Sequence, residues 1–441
     1  MPRSVFVETW GCQMNELDGR RFVGLLARDG YGEAATPEDA DVVVLNTCSV
    51  RDRAEQKVYD FLGRMAVLKR RRPGVVLGVA GCVAQQEGEQ LIERLPHVDF
   101  VLGTGRIEAL PSVLRRVLDE GDRPLETGFD PDVVSYTPTA IARTQRHKGS
   151  ITVVEGCNKN CTFCVVPKTR GRERNRRLRD VVEEATRLVA DGAVEVELLG
   201  QTVNAFRDPE SGEDFADLLR AVGAVPGLAR LRFVTSHPRN FGPRLIRAIG
   251  ETPTVCPYLH LPFQSGSTAV LTRMKRQYTR EGYLGLVGEI RGAVPGISLS
   301  ADAIVGFPGE SEEDFRQTLS LVEEVRFSSL FAFAYSPRPH TAAARWENDV
   351  PPLVASDRLT RLLDTQQKIQ RELNTAVEGR VLEVLVDGQD RKRTRFSGRS
   401  PCNRVVNFDA PRPVVPGELA HVTVTKGYAN SLLGELVDSA S

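Results

Sequence analysis

Most of the chemistry this sequence can do rests on eight cysteines, and six of them fall into two groups of three. Cys157, Cys161 and Cys164 are spaced C-x3-C-x2-C, with Phe163 immediately before the last thiol. Thiolates packed into one short loop suit a soft metal centre. A structural zinc asks for a fourth ligand, commonly a second CxxC pair or a histidine, and no histidine occurs between His147 and His237. An iron-sulfur cluster tolerates an open iron more readily. Cys12, Cys48 and Cys82 lie 36 and 34 residues apart, in TWGC, NTC and AGC. One such cysteine reads as packing. Three in register suggest a shared metal site with one position left for a ligand that is not protein. Asn15 and Asn46 stand beside them as supporting or capping groups. Cys256 and Cys402 have no partner in spacing and read as packing residues.

The elements that must position these thiols are legible from periodicity. Up to about Leu118, β-rich runs (SVFVET, DVVVLN, VVLGVA, VDFVLG) alternate with helical stretches at Leu17 to Arg28, Ala54 to Lys69, Gln86 to Arg94 and Ile107 to Leu118. That pattern predicts a parallel βα sheet over residues 1–118, with Cys12, Cys48 and Cys82 just past strand ends, where such sheets place ligands. After a connector near Thr127 to Arg146, strands are expected at 151–154, 194–199, 230–234, 257–261, 299–305 and 328–334. Helices lie between them, including Arg179 to Ala190, Thr279 to Arg291 and Glu312 to Val325. Six βα units predict a partial (β/α)6 barrel over 143–377, with the active site at the strand C-termini. Gly200-Gln201, Ser236-His237, Gln264-Ser265 and Gly306 to Glu310 fall at those ends. Each also has an ordinary reading: Ser236 and Ser311 as helix caps, the glycines as turns, and His237 as a partner for a loop carbonyl.

From about Glu378 a long amphipathic helix gives way to short strands and Gly/Pro turns, which predicts a small β-barrel over 378–441. The chain has 58 Lys plus Arg and 58 Asp plus Glu, so attraction to nucleic acid must come from local patches. Two basic runs qualify. Arg391 to Arg404 holds six basic residues and no acid, and Lys168 to Arg179 holds seven against one glutamate. The Val75 to Ala84 run already contains two glycines, no stretch is long and apolar enough to span a membrane, and MPRSVFVETWGC lacks a signal-peptide core. The expectation is a cytoplasmic protein with reduced thiols. No P-loop, GxGxxG signature or Ser/His/Asp arrangement is found.

VETWGCQMN, NTCSVRDRAEQK, GCNKNCTFCVVPKTRGRERNR, LLGQTVNAF, FVTSHP, LHLPFQSGS, MKRQYTR, IVGFPGE and YSPRPHT together resemble the methylthiotransferase family of radical S-adenosylmethionine enzymes, over nearly the whole chain. The likeness is greatest to the branch acting on N6-(dimethylallyl)adenosine beside the tRNA anticodon. It implies a radical 4Fe-4S cluster on Cys157, Cys161 and Cys164, an auxiliary 4Fe-4S cluster on Cys12, Cys48 and Cys82, and a C-terminal TRAM domain that binds RNA. Phe163, Gly200, Gln201 and Ser236 become candidates for holding S-adenosylmethionine. Implied partners are the tRNA anticodon stem-loop, an electron donor and a sulfur source, with the enzyme a monomer. The chemistry is consistent: C2–H of adenine is too weak an acid for any side-chain base, so a radical is required. Methylthiolation of threonylcarbamoyl-adenosine tRNA, or of a ribosomal-protein aspartate, is the related alternative, and a non-catalytic iron-sulfur RNA-binding protein is the alternative of another class. Asn160, Thr202, Val234 and Ser311 depart from the family pattern, which expects Tyr, Asn, Thr and Thr there; none is a thiol.

Overall fold

The structure is a computed structural model, and it describes residues 3–48, 52–129, 141–390, 392 and 394–437, with the side chains of 52–56 left aside. The first unit is a six-stranded, wholly parallel sheet: β1 (Ser4–Thr9), β2 (Gly32–Glu33), β3 (Val42–Thr47), β4 (Val76–Gly81), β5 (Phe100–Leu102) and β6 (Leu125–Glu126), in the order β2-β1-β3-β4-β5-β6. The central strands are buried on both faces, which is why they read as continuous apolar runs. Helices α1 (Gln13–Arg28) and α4 (Leu110–Arg115) cover one face through Phe22, Leu26, Leu110 and Val113. Helices α2 (Asp52–Arg71) and α3 (Cys82–Arg94) cover the other through Phe61, Leu62, Val83 and Leu91. The helix expected over 107–118 is broken: a 3-10 turn precedes α4 and a π-helical turn follows it up to Gly121, whose φ of +69° ends it.

The second unit carries β7 (Lys148–Glu155), β8 (Arg174–Asn175), β9 (Glu195–Gly200), β10 (Arg230–Phe233), β11 (Tyr258–His260), β12 (Ser298–Val305) and β13 (Ser329–Ala334). All six expected strands are present, and β8 adds a short antiparallel edge on β7. The arc is split into sheets β10-β9-β7-β8 and β11-β12-β13, bridged at Leu231 and Val255. The helices are α5 (Val166–Thr169), α6 (Leu178–Ala190), α7 (Phe215–Gly223), α8 (Pro243–Glu251), α9 (Thr268–Arg273), α10 (Arg280–Ala293), α11 (Glu312–Val325) and α12 (Pro352–Thr375). Capping boxes at Asp214 and Ser311 start α7 and α11, so the cap reading of Ser311 is the one realised. The core lies between the strands and this outer helical layer, and Phe263 stacks on Phe327 at 5.4 Å within it. Burying one such ring contributes about 2–3 kcal/mol.

The third unit is a closed barrel of β14 (Val381–Gln389), β15 (Phe396–Arg399), β16 (Val405–Asp409), β17 (Leu419–Gly427) and β18 (Leu432–Leu436), filled by Val384, Val406, Phe408 and Val422. It is seated on the second unit by buried cations. Arg232 pairs with Glu195 at 2.6 Å and donates to the carbonyls of Ser400 (2.8 Å) and Pro401 (2.9 Å). Arg230 donates to the Arg399 carbonyl at 2.7 Å and pairs with Glu383 at 2.8 Å. Asn374 at the end of α12 donates to the Tyr428 carbonyl at 2.7 Å.

Candidate functional site: two cysteine trios

Cys12 precedes α1, Cys48 follows β3 and Cys82 opens α3, so one rim of the parallel sheet gathers three thiols delivered by separate βα turns. The turns touch closely. A Cβ on Gly11 would lie 2.7 Å from the Cys48 Cβ, and one on Gly81, whose φ is +90°, would lie 2.4 Å from the Thr47 carbonyl oxygen. Only glycine allows that approach with that backbone. Asn15 is wholly buried and ties the turns together: its amide donates to the Thr47 carbonyl at 2.9 Å, its Oδ1 accepts from Cys12 Sγ at 3.4 Å, and Asn46 donates to its backbone carbonyl at 2.7 Å. The Cys48 thiol lies within hydrogen-bonding reach of both other sulfurs. That contact pulls Cys12 and Cys82 down toward thiolate and holds Cys48 up as the donor between them. Asn15 and Asn46 therefore support the thiol rim.

In the second unit β7 ends at Gly156, where φ is +73° and a Cβ would lie 2.2 Å from the Arg172 carbonyl oxygen. Cys157, Cys161 and Cys164 follow in one loop. Gln201 accepts from the Gly156 N–H at 2.6 Å, and Thr202 Oγ1 lies 3.4 Å from Cys157 Sγ. Thr162 fastens the loop to the barrel through the carbonyls of Met274 and Arg273 and accepts from the Ala343 N–H. Arg276 brings Nη1 to 3.5 Å from Cys161 Sγ. Burial, with Cys161 adding to it, pushes the Cys164 thiol up to about 12.

The other candidates sit as follows. Phe163 is partly buried, edge-on to Phe307 at 6.4 Å, against a small cluster of Val270, Met274 and Ala343. Gly200 ends β9, with room for a Cβ only 3.0 Å from the Val154 carbonyl oxygen. Ser236 is buried and its Oγ has no hydrogen-bond partner, so it caps nothing. His237 accepts from the Arg239 N–H at 3.2 Å, and burial drives its ring toward the neutral form. Cys256 is buried near Arg232, and Cys402 lies 3.2 Å from Ser400 Oγ.

The Lys168 to Arg179 run differs from a uniform phosphate-facing strip. Arg170 and Arg176 are buried, paired with Asp18 at 2.7 Å and Glu184 at 2.5 Å, while Lys168, Arg172 and Arg179 face solvent. These two pairs serve folding, because an arginine buried against a carboxylate cannot also reach an RNA backbone. Beside this segment runs an open cavity of about 1110 Å³ lined by Arg172, Arg174, Asn175 and Arg207 among others. Of the C-terminal basic run, Arg391 and Arg393 lie outside the described residues, Lys392 is exposed, and Arg395 pairs with Asp409 at 3.1 Å. Sequence reasoning missed Arg276 and Arg170 as neighbours of the thiols; MKRQYTR and TRGRERNR held them in plain view without saying what they approach.

The two thiol trios fit iron-sulfur clusters by the chemistry of their donors. Among the described residues, no group of three or more histidine, cysteine or carboxylate side chains converges on one ion position. Three thiols in each group are the donor chemistry that an iron-sulfur cluster takes.

Family models match residues 4–103 (Uncharacterized protein family UPF0004), 151–322 (Radical SAM superfamily) and 376–437 (TRAM domain). A Geobacter sulfurreducens protein named tRNA-2-methylthio-N(6)-dimethylallyladenosine synthase is 47% identical over 98% of this chain and 97% of its own length. One of the same name from Acidothermus cellulolyticus is 45% identical over 99% and 88%. The fold is shared with the radical S-adenosylmethionine methyltransferase TsrM from Kitasatospora setae, solved with cobalamin and a [4Fe-4S] cluster, at a TM-score of 0.57 and 17% identity over 78% of this chain and 77% of that one.

Proposed function

Because the chain belongs to the family of tRNA-2-methylthio-N(6)-dimethylallyladenosine synthases, we infer that it places a methylthio group on C2 of N6-(dimethylallyl)adenosine at position 37 of tRNA. The observation that carries this reading is the presence, in one molecule, of two separate thiol trios, one gathered from three βα turns of the first unit and one carried on the single loop after β7. We assign the auxiliary 4Fe-4S cluster to Cys12, Cys48 and Cys82 in a unit spanning 1–118, and the radical cluster to Cys157, Cys161 and Cys164 in a unit spanning 143–377. Residues 378–441 are the RNA-binding TRAM unit.

When bound, the clusters supply an electron to S-adenosylmethionine at one trio and sulfur at the other. The chain's own part is placement and exclusion of water. Gln201 holds the start of the cysteine loop through the Gly156 N–H, and Thr202 and Arg276 each offer a polar contact to a ligand sulfur. The buried, unpartnered Ser236 Oγ is available to a bound S-adenosylmethionine, and Gly200 lets the end of β9 pack closely on Val154. Phe163 closes the loop against apolar neighbours, which shields the site from solvent. Arg172 and Arg207 are guanidinium donors in the open cavity beside the Lys168 to Arg179 run for phosphates of the anticodon stem-loop, set among the carboxylates of Glu173, Asp208 and Glu210. None of the described helices is long and apolar enough to cross a membrane. The protein acts as a cytoplasmic monomer that draws on a separate electron donor and sulfur source.

The test is nucleoside mass spectrometry on tRNA from cells lacking the protein, with and without the gene restored. Accumulation of N6-(dimethylallyl)adenosine that disappears on complementation is the expected result. An unchanged profile, or loss of a methylthiolated threonylcarbamoyl-adenosine instead, would overturn the substrate. Reconstituted protein that never yields 5′-deoxyadenosine would mark it as a binding protein without catalysis.

A further inference from the structure

We propose that the inner face of the β11-β12-β13 sheet is the pocket for the substrate base: Phe331 and Phe333 take an adenine with a branched apolar N6 group, and Asp302 rejects an N6 group that carries a carboxylate. The proposal rests on the substrate reading above and names the residues that set it.

Side chains alternate along these three strands. Leu259, Ala301, Ala303 and Leu330 face the helices and belong to the core. Tyr258, His260, Ser300, Asp302, Phe331 and Phe333 take the other face, inside the half-barrel. Phe331 is 50% exposed and Phe333 39%, on strands whose opposite face is fully packed. Two exposed rings side by side on a concave sheet mark a ligand surface, since folding gains nothing from them. The polar groups beside them are held in place. Tyr258 Oη lies 2.6 Å from Ser300 Oγ, Ser300 Oγ lies 2.9 Å from His260 Nδ1, and His260 Nε2 lies 3.3 Å from Asp302 Oδ2. The imidazole meets Phe331 edge-on at 6.3 Å, and Asp302 is the register partner of Phe331 on the next strand.

This face adjoins the cysteine loop. Ile304, the register partner of Phe333, packs on the cluster that includes Phe163. Arg276, whose Nη1 is 3.5 Å from Cys161 Sγ, donates from Nη2 to the Pro262 carbonyl at 3.3 Å, two residues beyond His260. A flat base stacks on phenyl rings, and its N6–H and ring nitrogens suit a carboxylate acceptor and an imidazole. A five-carbon apolar group gains from the same rings. A threonylcarbamoyl group instead brings a carboxylate, and YLH, SLSADAIV and SLFAFA contain no lysine or arginine to receive it. Lys148 and Arg232, on nearby strands, are already paired with Asp387 at 2.6 Å and Glu195 at 2.6 Å. Asp302 then meets a like charge, which disfavours that substrate.

The test measures binding of the full-length, anaerobically reconstituted protein to three synthetic anticodon stem-loops of one sequence by fluorescence anisotropy. The adenosine beside the anticodon is unmodified, N6-dimethylallylated or N6-threonylcarbamoylated. The unaltered protein is expected to bind the dimethylallyl form at least about tenfold tighter than the unmodified one. Phe331→Ala should bring that ratio within about threefold, and Phe331→Leu, which keeps an apolar side chain, should retain most of it. Asp302→Asn should tighten binding of the threonylcarbamoyl form about threefold or more relative to the unmodified one. The readout is a ratio between RNAs on one protein, so a variant that is merely weakened lowers both affinities alike. A full ratio in Phe331→Ala, or an unaltered protein that does not distinguish the dimethylallyl form from the unmodified one, would overturn the pocket, while the nucleoside profile in cells still decides the substrate. An unchanged threonylcarbamoyl ratio in Asp302→Asn would overturn the rejecting role. Tightest binding of the threonylcarbamoyl form by the unaltered protein would sink the substrate reading itself.

Discussion

At the scale of single residues, the proposed division of labour between the two thiol trios predicts that their substitutions separate the two halves of the reaction. Cys161→Ala is expected to abolish both 5′-deoxyadenosine formation and the methylthiolated nucleoside. Cys48→Ala should retain the first and lose the second, as read by chromatography of the cofactor products beside nucleoside mass spectrometry of the tRNA. Full product from Cys48→Ala would remove the N-terminal trio from the reaction. Glu310 gives a pH signature of its own. Burial holds its carboxyl up at about 7 against an ordinary 4.5, with the Gly306 N–H and Arg358 opposing the rise. The folded chain therefore keeps a proton that the unfolded chain releases, so the contribution is complete below about 4.5 and is lost as pH rises through about 7. Thermal unfolding midpoints should fall across that window, and Glu310→Gln should flatten the fall; equal slopes in both proteins would refute the assignment. The cysteines were legible because their spacing is local or repeats with the βα period. Arg276, 115 residues from Cys161, was not, because nothing in a linear pattern states which distant loop a guanidinium will meet.

At the scale of elements, the strand-end turns do the positioning, and glycine is what lets them come so close. Gly156→Ala places a methyl where the Arg172 carbonyl stands and demands a left-handed backbone of an alanine, a cost of about 1–3 kcal/mol together with reduced iron binding at the adjoining loop. Gly212 provides the control, with φ of +76° and open space around it, so Gly212→Ala should cost about 1 kcal/mol and leave iron content intact. Chemical denaturation with iron analysis checks both, and equal costs at the two sites would show that the close approach is immaterial. The six barrel strands were readable from their apolar runs, since each is flanked by a helix of matching period. The broken helix near 107–120, the short α5 and α9, and the two-residue β2, β6 and β8 were not. Segments that short carry too few residues to set up a period, and their shape is imposed by what they pack on.

At the scale of the whole molecule, the sequence announced a C-terminal barrel but not its seat. Its strands show in the alternation of Val384, Val386, Val422 and Val424, whereas its placement depends on Arg230 and Arg232, which look in sequence like ordinary charges in RLRFV. Arg232→Ala strands Glu195 and two carbonyl groups in a buried seam, so it should destabilise by about 3–5 kcal/mol and expose the segment between α12 and β14 to limited proteolysis. Arg395→Ala, which removes an exposed pair with Asp409, should cost no more than about 1 kcal/mol. Similar melting temperatures for the two variants would show that the seam is not what holds the barrel.

That seam leaves the barrel no slack against the catalytic half-barrel. A tRNA that bridges the two units, as the proposed function requires, must fit the spacing that Arg230 and Arg232 set between them.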